Sequence, residues 1–141
     1  MAYREKVAWL SLLTMIAVFV PYFTWSGLNP PTGPLPNFGQ MLLYAIVCAV
    51  WLLLLGAGHL YLRSRDQQQA LLPLDERDLA IKYRSRDYAY GVLLIGLIVV
   101  GCVMPFRSAG WEIANTAILA IVLAEAVNYI SMILSYRRQI G

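Results

Sequence analysis

The chain has 141 residues, 60% of them hydrophobic and 13% charged, with a mean hydropathy of +0.61. Soluble domains carry about 25% charge, and a water-soluble fold of this length has no interior large enough to hide so much apolar surface. The net charge of +3 suggests a nucleic-acid partner, but its distribution argues against one: Lys and Arg sit in short segments flanking apolar runs, as in membrane proteins.

The length allows a single domain, residues 1–141. The first apolar run, residues 7–25, contains no charge. A span needs about 20 largely apolar residues to cross roughly 30 Å of hydrocarbon, and this run fits. Arg4 and Lys6 precede it, as in a signal peptide. The run is longer than a usual signal core, however, and no small-residue cleavage site follows. Pro21 is expected to kink its far end. Residues 26–40, SGLNPPTGPLPNFGQ, hold four of the seven prolines and no charge. Such a segment cannot continue a helix and reads as an extended loop at a membrane surface.

The second span is expected at 41–62, the third at about 88–106 and the fourth at about 111–136, with a tight turn at 107–110 between the last two. The fold class is therefore all-α, a polytopic transmembrane four-helix bundle. Ten of the eleven basic residues lie in the N-terminal segment, the 63–87 loop and the tail. The positive-inside rule then places both termini and this loop in the cytoplasm, in a multi-pass protein of the cell inner membrane. Trp9, Tyr61, Tyr88, Tyr90 and Tyr136 fall near the inner interface, and Tyr22, Trp25, Phe38, Phe106 and Trp111 near the outer one.

The 63–87 loop is the one hydrophilic segment of any size. Gln67, Gln68, Gln69 and Pro73 predict an irregular first half. Asp75 is then a good N-cap and Asp78 stands where a capping-box acid belongs. Asp75, Glu76 and Asp78 suit the positive end of a helix dipole, and Asp78 and Lys82 form an i,i+4 pair. A helix is expected to start at Glu76 and run on into the third span. The stretch Asp75, Glu76, Arg77, Asp78, followed by Ile81, Arg84, Tyr88 and the apolar run, resembles a family of small bacterial and archaeal membrane proteins of unknown function. That family has four predicted spans and a DERD-like segment before the third. The resemblance covers about 20 residues closely, together with length and span count, and implies a fold and a location without an activity. Some family members are encoded beside small helix-turn-helix regulators, which implies a partner or a signalling role. The segment reads either as a capped, charge-paired helix start or as a cytoplasmic docking surface. On the second reading Arg77, Lys82, Arg84 and Arg86 meet an acidic partner or anionic lipid.

Glu125 lies close to the middle of the fourth span. An ionised carboxylate there costs on the order of 3 kcal/mol or more, and a protonated one still needs partners. Asn128 at i+3 and Tyr129 at i+4 are within reach, and Thr14 and Trp51 should lie at similar depth. Glu125 is either a proton or cation site or, with Asn128, polar glue between helices or subunits. His59, the single histidine, is expected to make an interfacial hydrogen bond; one His is a poor case for a metal site. Cys48 and Cys102 sit in apolar runs without metal or redox spacing, and read as small side chains packed in helix interfaces. Gly91, Gly96 and Gly101 recur every five residues, which winds around a helix. Ala117, Ala120, Ala124, Asn128 and Ser131 form one small, partly polar stripe, expected to be the main helix seam, within the chain or in a homo-oligomer.

No Ser/His/Asp set, H-E-x-x-H or C-x-x-C is present, which argues against an enzyme, and no cofactor or metal is expected. The function expected is that of a non-enzymatic membrane protein working through a cytoplasmic partner. The alternative is a small oligomeric proton- or cation-coupled transporter or channel using Glu125.

Overall fold

The structure is a computed structural model that describes residues 3–33 and 37–138. Among these the chain is helical, with no strand: α1 (Tyr3–Leu28), α2 (Phe38–Arg65), a single turn α3 (Gln67–Ala70), α4 (Glu76–Ile98) and α5 (Gly110–Arg137). Four helices are long and apolar enough to cross a membrane, the third of them running Glu76–Phe106. At 1.5 Å per residue, α1, α2 and α5 reach about 39–42 Å, the thickness of a bilayer with its headgroup layers. The four expected spans are all present: the first two helices extend three or four residues beyond each end of the apolar run, the fourth extends one, and the third begins well before its run, at Glu76.

The helix ends follow from local chemistry. α1 runs on through Pro21 and stops at Leu28, three residues past the expected end of the span. Asn29 precedes Pro30 and is biased out of the helical region, and both its backbone N–H and its side-chain amide donate to the Trp25 carbonyl at 3.0 Å. The extended loop is correspondingly shorter than residues 26–40, and its positions 34–36 lie outside the described residues. Asn37 caps α2 by accepting from Gln40 N at 3.2 Å. Asp75 caps α4 as expected, accepting from Glu76 N at 2.8 Å. α4 then runs without a break from the hydrophilic segment into the third span.

One local expectation fails, and one helix end departs from α geometry. The glutamines at 67–69 form a helical turn instead of an irregular stretch. The third span ends in a π-helical segment, Val99–Val103, and a 3-10 turn, Met104–Phe106. Pro105 accounts for the second. Its ring clashes with the carbonyl four residues back and offers no N–H, so the helix widens before it and Met104 N bonds to Val99 O, an i→i+5 spacing.

The helices pack in the order α2–α1–α5–α4, with α4 most extensively against α5. The core is the α1 stripe of Ala8, Leu12, Met15, Phe19 and Tyr22, joined by Ile133 of α5. Glu5 and Ser26 extend that stripe at its two ends. The positions alternate by three and four, the spacing of a coiled-coil seam. α2 buries no residue, and α4 buries only Ile81 and Ser85, below its apolar part. A soluble monomer of this mass would expose about 7,300 Å²; this chain exposes 9502 Å². The spanning parts of its outer helices are apolar all round, as befits helices solvated by lipid.

Candidate functional site

The start of α1, the 66–75 turn, the start of α4 and the end of α5 meet at one end of the bundle, here called the basic end. Lys6 Nζ pairs with Asp66 Oδ2 at 2.6 Å. Arg4 Nε pairs with Asp78 Oδ2 at 3.3 Å, while its Nη2 donates to the carbonyls of Leu72 and Pro73, both at 3.3 Å. The Tyr136 hydroxyl donates to Asp78 Oδ1 at 2.7 Å. Arg137 Nε pairs with Glu5 Oε1 at 3.4 Å and its guanidinium stands 5.4 Å from the centre of the Trp9 ring. Three hydrophilic segments far apart in sequence are thus tied into one surface.

This corrects the expectation for Asp78. Its carboxylate turns inward to Arg4 and Tyr136, leaving the capping box and the pair with Lys82 unformed. A buried tyrosine hydroxyl and a guanidinium from other helices take up its oxygens instead. Asp75, Glu76, Arg77, Arg84 and Arg86 are exposed, as a docking surface requires, and Lys82 is half-buried. Behind them a cleft of about 520 Å³ lies between α1 and the turn, lined by Tyr3, Arg4, Val7, Leu72, Leu74 and Lys82 among others. Leu72 and Leu74 of this lining are exposed.

Glu5 was not singled out by sequence reasoning, yet it is 2% exposed. The signal was available: the Ala8, Leu12, Met15, Phe19, Tyr22 alternation runs back by three residues onto Glu5.

Within the bundle, Glu125 is half-buried. Asn128 Nδ2 donates to its Oε2 at 3.4 Å, a long bond. The Tyr129 hydroxyl stands near both Glu125 and Ser11 of α1. Asn128 Oδ1 is buried without a partner. The structure therefore joins Glu125 to Asn128 and Tyr129 as expected. Thr14 and Trp51 are not brought in: Thr14 Oγ1 donates to Leu10 O at 2.8 Å, and the Trp51 indole N–H has no partner. His59 Nδ1 bonds to Leu55 O of its own helix at 2.9 Å, which makes Nδ1 the protonated nitrogen. α2 packs against α1 rather than extensively against α5, and His59 bonds within its own helix. Among the described residues no three His, Cys, Asp or Glu side chains cluster as metal ligands. Both cysteines are free; Cys48 is half-buried, whereas Cys102 is exposed on the single chain. Ala120 and Ala124 of the small stripe are buried within the chain. Gly96 of α4 lies against Ala120, so close that an added Cβ would stand 2.5 Å from Ala120 Cβ.

At the opposite end a mainly apolar cavity of about 470 Å³ lies between the end of α1 and the starts of α2 and α5, with no charged residue in its lining. Tyr22 donates there to Asn115 Oδ1 at 3.2 Å.

The class defined by this architecture is a multi-pass, four-helix membrane protein with a cross-linked basic end. No family model, curated protein or solved structure matches the chain.

Proposed function

We propose that this is a non-enzymatic docking protein of the cell inner membrane, whose basic end faces the cytoplasm and receives an amphipathic segment of a partner protein. The observation that carries the reading is the Arg4 clamp. One guanidinium holds the Leu72 and Pro73 carbonyls and Asp78 together. It thereby pins the turn to the start of α1, and the cleft lies beside this clamp with Leu72 and Leu74 in its lining. An apolar cleft edged by cations suits a helix with leucine-like anchors and an acidic flank. The charge bias supports the orientation: ten of the eleven basic residues are at this end, against six of the eight acids. The resemblance to the DERD-containing family implies a partner as well.

The test is a photocrosslinker placed at Leu74 in the full chain, in native membranes. One discrete adduct is expected, lost in Leu72→Asp and weakened in Lys82→Ala. An adduct pattern indifferent to both substitutions would overturn the reading. Reporter fusions at residue 68 and at the C-terminus are expected to report cytoplasm.

A second reading has its own observation. The unpartnered Asn128 Oδ1 beside half-buried Glu125 leaves oxygen atoms free to take a proton or cation. In proteoliposomes a proton or cation flux that survives Glu125→Gln unchanged would remove it.

A further inference from the structure

We infer that the α4–α5 seam at the basic end holds the phosphate of an anionic phospholipid between Arg84 and Arg138. A niche of about 290 Å³ opens there, lined by Arg84, Tyr88, Ser131, Leu134, Ser135 and Arg138. It shares no residue with the partner cleft. Ser131, Ser135 and Arg138 follow one another at four and three residues, so one face of α5 presents two hydroxyls and a guanidinium in a row. Arg84 and Tyr88 face them from α4, one turn apart.

The electrostatics are uncompensated. The ion pairs of this end engage Arg4, Lys6 and Arg137. Among the described residues neither Arg84 nor Arg138 has a carboxylate partner. Arg84 Nε donates to the Tyr88 hydroxyl at 3.1 Å, which fixes the side chain and leaves its two Nη groups to point elsewhere. The nearest acid in sequence, Asp87, is exposed and outside the niche lining. Two guanidiniums with flanking hydroxyls match a phosphate diester: bidentate donors for its two free oxygens and hydroxyls for the remaining lone pairs.

The surroundings select a lipid over a soluble phosphate. Leu134 lines the niche beside the serines, and Ile130 and Ile95, further along the same two helices from the basic end, are exposed apolar side chains. A headgroup held at the arginines would lay its acyl chains along them. Basic residues at this depth are where anionic headgroups reside.

The experiment uses delipidated full chain in a neutral detergent, titrated with phosphatidylglycerol or phosphatidylcholine and read by native mass spectrometry. Phosphatidylglycerol is expected to bind about 30-fold more tightly, the general scale for two basic residues at an anionic surface. Arg84→Gln with Arg138→Gln should abolish that preference. Arg63→Gln with Arg86→Gln removes two other exposed cations of the same end and should leave it intact. Equal binding of the two lipids would overturn the inference, as would equal losses in the two double variants, which would mean a diffuse basic surface. Competition by inorganic phosphate at the lipid's own concentration would make the site one for a soluble ion and would also overturn it. Neither double variant touches the partner cleft, so the Leu74 crosslink is expected to persist in both.

Discussion

Gly96→Ala is the sharpest probe of how the bundle is held together. The new Cβ would stand 2.5 Å from Ala120 Cβ and 3.6 Å from Ala120 Cα. Carbon atoms pack at about 3.5–4.0 Å, so the two helices would have to part by about 1 Å or more. No rotamer can absorb this, since neither methyl has a torsion that moves it. Overpacking of this kind costs about 1–3 kcal/mol. Against it stands the helix propensity of alanine, which favours the substitution by about 1 kcal/mol. The difference is about 0–2 kcal/mol, and the upper half of that range is expected because α4 and α5 form the most extensive interface of the bundle and part along its length.

The assay is unfolding by SDS titration in mixed micelles, with Ala120→Gly as the second arm of a cycle. Ala120→Gly alone should destabilise modestly by propensity and by lost contact. In the Gly96→Ala background it removes the clash, so the double variant should be more stable than the two single losses predict, by about 1 kcal/mol of coupling. Gly96→Ala that is neutral or stabilising, or a cycle that closes additively, would refute the claim that these helices touch at this point.

Gly58→Ala makes the opposite prediction from a similar distance. Its Cβ would meet the Leu10 methyl groups at 2.6 and 2.7 Å, but those rotate away, so the same titration should register less than about 0.5 kcal/mol of loss. Arg4→Ala releases the Leu72 and Pro73 carbonyls and Asp78 together. The 66–75 turn should become the first site of limited proteolysis, with a local loss of about 1–2 kcal/mol. Arg137→Ala strands the Glu5 carboxylate, which has 3% side-chain exposure, and should cost about 1–3 kcal/mol. Adding Glu5→Gln should recover part of that loss, and a double variant less stable than Arg137→Ala alone would show the pair to be of no consequence.

The spans, their number and the α4 start were legible because each rests on short-range chemistry: an unbroken apolar run, an Asp at the N-cap, prolines that stop a helix. The small stripe of α5 was legible too, and Ala120 and Ala124 are buried where it predicts. Its counterpart was not. Spacing by five scatters Gly91, Gly96 and Gly101 around the helix, and of the three only Gly96 meets a neighbour; the others face open space. Which of three glycines is a contact depends on which helix lies alongside, and that is a tertiary fact. Asp78 failed for the same reason. Its local role as a capping acid was sound, and partners 58 and 74 residues away in sequence displaced it.

The arrangement of the helices gives the ends their importance. In water a row of four helices with two bare outer members would collapse, since burying more apolar area lowers the free energy. Lipid removes that drive, because an apolar face is as well solvated by acyl chains as by another helix. Order then has to come from contacts that lipid cannot imitate. One kind is close backbone approach, which only small residues such as Gly96 and Ala120 permit. The other is polar pairing at the membrane boundary, where a charge unpaired on one side still faces water on the other. The three ion pairs at the basic end and the Tyr136–Asp78 bond are of this second kind. They tie α1 to the 66–75 turn, to α4 and to α5, and so fix the register of helices whose apolar sides alone would let them slide.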